Sequence, residues 1–225
     1  SQHEDYAPSI TADESMLVFT SRREGSTGGP RNLEFDNRFF EDVYVSYNDS
    51  GVWESPKKIG SSINTDVNDA VISVSADGQR LFMYKPEGRG DVFQSFLMRG
   101  IWSVPEKLDE TINTPGRETH VSMTTDGKTL YFASDRKEKD GVQFGGLDLY
   151  GVSKLPNGDW SEAVNLGNII NSPYDENSPF IHPNGKRLYF SSKGHKNMGG
   201  YDIFFSDLND DGTWTTPINI GYPIN

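Results

Sequence analysis

Short apolar segments recur along the chain without a polar break: Leu17-Val18-Phe19, Leu81-Phe82-Met83-Tyr84, Leu130-Tyr131-Phe132 and Leu188-Tyr189-Phe190. A run of this kind predicts a strand buried on both faces. Before each lies a segment of alternating polar and apolar residues, such as Asn177-Ser178-Pro179-Phe180-Ile181. Between the two stands a turn pair, Asp77-Gly78, Asp126-Gly127 or Asn184-Gly185, with Asp13-Glu14 in the same place at the start of the chain. These pairs suit a tight hairpin turn that needs positive φ. A third strand is predicted from Asp42-Val43-Tyr44, Asp91-Val92-Phe93, Asp148-Leu149-Tyr150 and Asp202-Ile203-Phe204, and a fourth around each Trp. No stretch sustains a 3.6-residue period, and Gly and Pro interrupt often, so helix is expected to be minimal.

The pattern is a repeat. Trp53, Trp102, Trp160 and Trp214 are each followed, 11 positions later, by the Asn of an Ile-Asn pair: Asn64, Asn113, Asn171 and Asn225. The turn pair comes 13 positions after the first three of these Asn residues, and a carboxylate stands eight positions before every turn: Asp5, Asp69, Glu118 and Glu176. The copies run 1–64, 65–113, 114–171 and 172–225. Spacing is constant from Trp to the next turn and variable from the turn to its own Trp, so insertions are expected on one side of a rigid frame. A tandem four-stranded unit cannot bury both faces alone, and radial stacking hides them. The fold class is therefore all-β, a β-propeller of four four-stranded antiparallel blades, read as a single domain over 1–225. The copies begin and end in phase, which fits a four-bladed ring closed by packing alone, the favoured reading, or part of a larger ring cut at blade boundaries.

Composition narrows the partners. Lys and Arg number 21 against 33 Asp and Glu, a net charge of -12, so nucleic acid and anionic membrane are disfavoured. Cys is absent, which excludes disulfides, thiolate metal sites and cysteine nucleophiles. No apolar run approaches the roughly 20 residues of a membrane helix, and direct membrane insertion is not expected.

Ser75-Ala76-Asp77-Gly78-Gln79-Arg80-Leu81-Phe82 and Asp126-Gly127-Lys128-Thr129-Leu130-Tyr131-Phe132-Ala133-Ser134 resemble the signature of the WD40-like (PD40) repeats in TolB-type propellers, with Ala76 and Thr125 where that pattern has Pro. Met198-Gly199-Gly200-Tyr201-Asp202-Ile203-Phe204 and Trp160-Ser161-Glu162-Ala163-Val164-Asn165-Leu166-Gly167 resemble the version of this repeat found in Bacteroidetes envelope proteins of the OmpA family and of PorE-type type IX secretion. The resemblance implies a periplasmic or outer-membrane-associated location, a protein partner in the envelope, and contact with peptidoglycan through neighbouring domains.

Candidate chemistry is sparse. Asp5, Asp69, Glu118 and Glu176 head the strand that lines a propeller channel; either they form an acidic ring at its mouth, for a cation or basic peptide, or they staple the blades through backbone hydrogen bonds. Asp42, Asp91, Asp148 and Asp202 head the third strand, where a carboxylate can accept from N–H groups of the preceding turn. Asp207, Asn209 and Asp211 match the first half of a calcium loop, but Ile218 stands where a bidentate Glu belongs, so the site is a weak candidate. His3, His120, His182 and His195 fall at non-equivalent positions without metal-ligand spacing. The longest insertion carries Arg22, Arg23, Arg31, Phe35, Arg38, Phe39 and Phe40, types enriched at interface anchors, so it reads either as a partner-binding loop or as a cover for the first blade. No nucleophile motif or phosphate-cradling Gly loop is present. The expectation is a non-catalytic interaction scaffold that needs no cofactor. The alternatives are a glycan- or peptidoglycan-associated module and a propeller-type hydrolase. The fixed spacing of the four Trp residues argues for buried packing roles and against sugar stacking.

Overall fold

The computed structural model describes residues 3–29, 31, 36–85, 90–137 and 143–225. It is a β-propeller of four antiparallel blades, and among the described residues helix is confined to one turn, α1 (Gly167–Ile170). Blade 1 has the strand order β1 (Glu4–Ile10), β2 (Met16–Arg22), β3 (Asp42–Asp49), with an outer strand split into β4 (Val52–Trp53) and β5 (Lys57–Lys58) that both pair with β3. Blade 2 repeats this with β6 (Ala70–Val74), β7 (Arg80–Lys85), β8 (Asp91–Met98), β9 (Ile101–Trp102) and β10 (Glu106–Lys107). In blade 3, β11 (Glu118–Met123), β12 (Thr129–Ser134) and β13 (Asp148–Ser153) are followed by β14 (Val164–Asn165). Blade 4 has β15 (Glu176–Ile181), β16 (Arg187–Ser192), β17 (Asp202–Asp207) and β18 (Ile218–Asn219). In blades 3 and 4 the Trp half of the outer strand shrinks to single bridges, Lys154 with Trp160 and Leu208 with Trp214. Pro56, Pro105 and Pro217 lie between the halves of three outer strands, where a missing N–H interrupts the ladder at a tolerant edge.

The innermost strand carries a bulge in every blade, between Tyr6 and Ser9, Val71 and Ser73, Glu118 and Val121, and Asn177 and Phe180. Ala7 and Ser178 occupy it with φ of 50° each. The first hairpin is tighter in chemistry than in length. Gly78 N donates to Ser75 O, and of the turn pair only Gly78 has positive φ, at 69°. Ser75 N donates to Arg80 O, so the loop holds four residues, Ala76 to Gln79, with a left-handed Gly in third place. Asp77 Oδ1 accepts from Ser75 Oγ and Gln79 N, and Asp126 does the same with Thr124 and Lys128.

The chain divides into two compact units, Ser1–Lys85 with Phe93–Lys107, and Pro86–Val92 with Leu108–Asn225. Alternation along each strand gives a blade a trailing face and a leading face. In the first unit the trailing residues Val18, Val43, Val45 and Ile63 of blade 1 pack on the leading residues Leu81, Met83, Phe93 and Trp102 of blade 2. In the second unit Tyr131, Ala133, Leu149 and Ile170 of blade 3 pack on Leu188, Phe190 and Phe204 of blade 4, with Trp214 resting edge-on against Tyr131.

Candidate functional site

The residues that recur in every blade are spent on holding it together. Asp69, Glu118 and Glu176 are fully buried. Each accepts from the backbone N–H and the hydroxyl of the residue four places earlier, Thr65, Thr114 and Ser172. Glu118 and Glu176 also accept from Ser134 and Ser192 on the second strand of the same blade, at 2.7 and 2.6 Å. Asp5, the most open of the four, accepts from Ser21 Oγ and Arg23 Nη2. Burial pushes the carboxyls of Asp69 and Glu176 up, the hydrogen bonds only partly opposing it. Glu118 and Glu176 tie the linker entering a blade to its second strand, Asp69 holds the linker and Asp5 the second strand, and three of the four present no exposed surface to a ligand.

The second set closes the turn before the third strand. Asp42 accepts from Thr27 N and Oγ1 and pairs with Lys58, Asp148 accepts from Phe144 N, Gly145 N and Asn165, and Asp202 from Met198 N and Asn219. Asp91 is buried in the corresponding place.

A role that the sequence left unassigned belongs to the Asn of each Ile-Asn pair. Asn64 Oδ1 accepts from Val43 N at 2.8 Å and its Nδ2 donates to Val43 O at 3.0 Å. Asn113 with Val92, Asn171 with Leu149 and Asn225 with Ile203 repeat both bonds. The primary amide pairs as a backbone peptide would, so one side chain ends each blade by adding a rung to its third strand. Its strict recurrence was the only signal available in the sequence.

The residues that do not recur lie mainly in the loops between second and third strands. In the first, Arg22 is held by Asp36 and by Glu41, each at 2.5 Å, and Arg23 by Asp5 at 2.8 Å while lying over the rings of Phe19 and Tyr44. Phe40 packs where a Cβ on Gly28 would sit, Phe39 lies under Arg31, and Arg38 makes an exposed ion pair with Glu4. Phe35 lies outside the described residues. The loop thus folds back on itself through Arg22 and Phe40 and onto blade 1 through Arg23, and offers Arg31 and Arg38 to solvent. In the second unit Lys193 pairs with Asp175 at 2.7 Å and lies over Tyr201, with Tyr174, Met198 and Tyr201 exposed nearby.

In the calcium-like turn Asp207 makes a two-pronged ion pair with Arg187, at 2.7 and 2.8 Å, and Asp211 accepts from Thr213 N and Oγ1. Among the described residues no group of three or more His, Asp or Glu side chains is placed to hold a metal. Trp102 and Trp160 are buried and Trp214 half-buried, as their spacing anticipates, but Trp53 is 40 % exposed. It stands beside a hollow of about 420 Å³ lined by Tyr6, Pro8, Leu17, Phe19, Trp53 and Pro56 on the leading face of blade 1.

No family model matches the sequence, and no curated protein does. Among solved structures, TolB from Acinetobacter baumannii superposes over 96% of this chain at 18% identity, with a TM-score of 0.59. The chain spans 44% of that protein, less than half its length. A TolB-like protein from Agrobacterium tumefaciens matches over 97% of this chain and 83% of its own, at 15% identity and a TM-score of 0.55. A puromycin-hydrolyzing peptidase from Mycobacterium tuberculosis matches over 98% of this chain and 30% of its own, at 13% identity and a TM-score of 0.53. Proteins of different chemistry thus share the scaffold, and at these identities the likeness is one of architecture: the chain shares the β-propeller fold of TolB.

Proposed function

We propose that this chain is a non-catalytic protein-interaction module of the Gram-negative cell envelope, working in the periplasm. The observation that carries the reading is the division of labour within each blade. Recurrent polar groups are consumed by the frame, while exposed Arg31, Arg38, Tyr174, Met198 and Tyr201 sit at non-recurrent positions on or beside the second-to-third-strand loops. Exposed aromatic, Met and Arg side chains of this kind are what protein interfaces enrich. Likeness to TolB supports the envelope, and no helix among the described residues is long and apolar enough to cross a membrane. The repeat's resemblance to OmpA-family and PorE-type proteins makes type IX secretion complexes and peptidoglycan-bound neighbours the first partners to test.

The test is chemical cross-linking in envelope fractions, comparing the wild type with a chain carrying Arg38→Ala, Met198→Ala and Tyr201→Ala. These side chains are exposed, so the fold should be kept. Loss of at least one cross-linked protein is expected; identical cross-linked sets would overturn the loops as the contact surface. A glycan-binding module is the second reading, favoured only by the exposure of Trp53.

A further inference from the structure

The first hairpin turns of the four blades share one hydrogen-bond scheme and differ in one side chain. Asp13, Asp77 and Asp126 each accept at Oδ1 from a hydroxyl two places earlier, on Thr11, Ser75 and Thr124, and from the N–H two places later. Blade 4 has Asn184 in that place and His182 where the others have the hydroxyl. Asn184 Oδ1 accepts from Lys186 N at 2.9 Å, and Asn184 N donates to His182 Nδ1 at 3.2 Å. An ionised carboxylate resists nucleophilic attack, whereas a primary amide is an electrophile that carries a leaving group. Gly185 follows at φ 70°, with no side chain to shield its amide nitrogen. The chain has a second pair of this kind, Asn157-Gly158, in the turn closed by the bridge between Lys154 and Trp160 of blade 3.

Both Asn side chains fold toward the following Gly nitrogen. Asp159 N donates to Asn157 Oδ1 at 3.1 Å, as Lys186 N does to Asn184 Oδ1, and a bond to the second neighbour holds Cγ beside the peptide between them. The same N–H points at the oxygen that gains negative charge when Cγ is attacked. Each Gly N–H is itself donated, Gly185 N to His182 O at 2.8 Å and Gly158 N to Leu155 O at 2.9 Å, so its release weighs equally on the two turns. Charge separates them. Asn157 Nδ2 donates to Asp159 Oδ2 at 2.6 Å, which sets an anion against the leaving amide. Gly185 is followed instead by Lys186, whose ammonium is shared with Asp210 at 3.1 Å in an exposed pair.

We infer that Asn184 is a site of self-modification, deamidated by the main chain of its own turn. Gly185 N gives its proton to solvent base and attacks Cγ of Asn184. The new C–N bond closes a cyclic imide, the Cγ–Nδ2 bond breaks, and Nδ2 leaves as ammonia. Water then opens the imide at either carbonyl, leaving aspartate or isoaspartate in place of Asn184, with no oxidation or reduction. The aspartate product has the side chain that Asp77 and Asp126 supply at the same turn, and the isoaspartate product lengthens the turn's main chain by one carbon. Nucleophile and intermediate are both anionic, so Lys186 favours the step at Asn184 and Asp159 opposes it at Asn157. Opposite unit charges at this range separate the two rates by about tenfold. The hairpin joins β15 to β16, at the opposite end of the blade from the second-to-third-strand loop, so the change is separate from those loops.

Incubation of the folded chain in mildly alkaline buffer, with peptide mapping by mass spectrometry and isoaspartate counted by enzymatic methylation, tests this. Asn184 should deamidate about tenfold faster than Asn157, and added salt should narrow the gap, since salt screens exposed charges. Lys186→Glu should slow the reaction at Asn184, and Asp159→Lys should speed it at Asn157. Both positions are exposed, so each variant should keep the fold, which circular dichroism checks. An Asn184 that stays intact in the folded chain while reacting in urea, equal rates at the two sites, or variants that keep the wild-type rates would overturn the inference.

Discussion

The amide of Asn113 does more than fill space at the end of blade 2. It accepts from Val92 N and donates to both Val92 O and Leu108 O, all within a buried environment. Removing it strands backbone groups that water cannot reach, at about 1–3 kcal/mol for each buried unsatisfied group. Asn113→Ala should therefore destabilise the protein by about 2–4 kcal/mol, read as a lower urea midpoint at unchanged slope. A second residue gives a pH signature. The Nδ1 of His120 is enclosed without a partner, and burial holds the imidazole below its ordinary range, the hydrogen bond with Asn177 only partly opposing this. The native state thus resists a proton that the unfolded chain accepts, so stability falls as pH drops through the ordinary His value near about 6.5. The urea midpoint should decline between neutral and mildly acidic pH, and His120→Gln should flatten that decline. A variant with the wild-type slope would show that His120 is not its source. Neither residue's part was legible in the sequence, because each depends on a partner far along the chain: Val92 lies 21 positions from Asn113, and Asn177 belongs to the next blade.

Strands and turns were the readable elements, since alternation and apolar runs are local properties of the chain. All four second strands lie where the unbroken apolar segments stand, at β2, β7, β12 and β16. Three details escaped. The bulge of the innermost strand breaks a two-residue period over too few residues to be noticed. The outer strand is split, which its Pro residues signalled without saying that both halves still pair. The hairpin needs one left-handed residue rather than two, and Glu14 fills that place at φ 57° where the other blades have Gly. A left-handed non-Gly residue costs roughly 1–2 kcal/mol, and Gly returns part of this as entropy. Glu14→Gly should raise stability by about 0.5–1 kcal/mol, a shift of a degree or more in thermal midpoint. An unchanged or lower midpoint would mean that the Glu14 side chain contributes contacts of its own.

At the scale of the molecule, the carboxylate sets illustrate why a repeat is informative about fold and silent about function. Sequence placed Asp5, Asp69, Glu118 and Glu176 correctly as equivalent, but could not distinguish a presented ring from buried ties, since both recur once per blade. The same holds for Trp53, whose spacing matches its buried counterparts while its exposure depends on what lies against it. What does vary is confined by the amide rung. The span it closes runs 21 or 22 residues, from the second residue of the third strand to the terminal Asn. The loop between second and third strands lies wholly outside that span. Length can therefore be added there without stretching the circuit that the amide rung closes, and a peptide epitope grafted between His195 and Met198 would be displayed at the cost of loop entropy and of the Asn197–Lys193 and Asn219–Lys196 contacts. The blade is, in this sense, a socket: a fixed mount with an interchangeable insert.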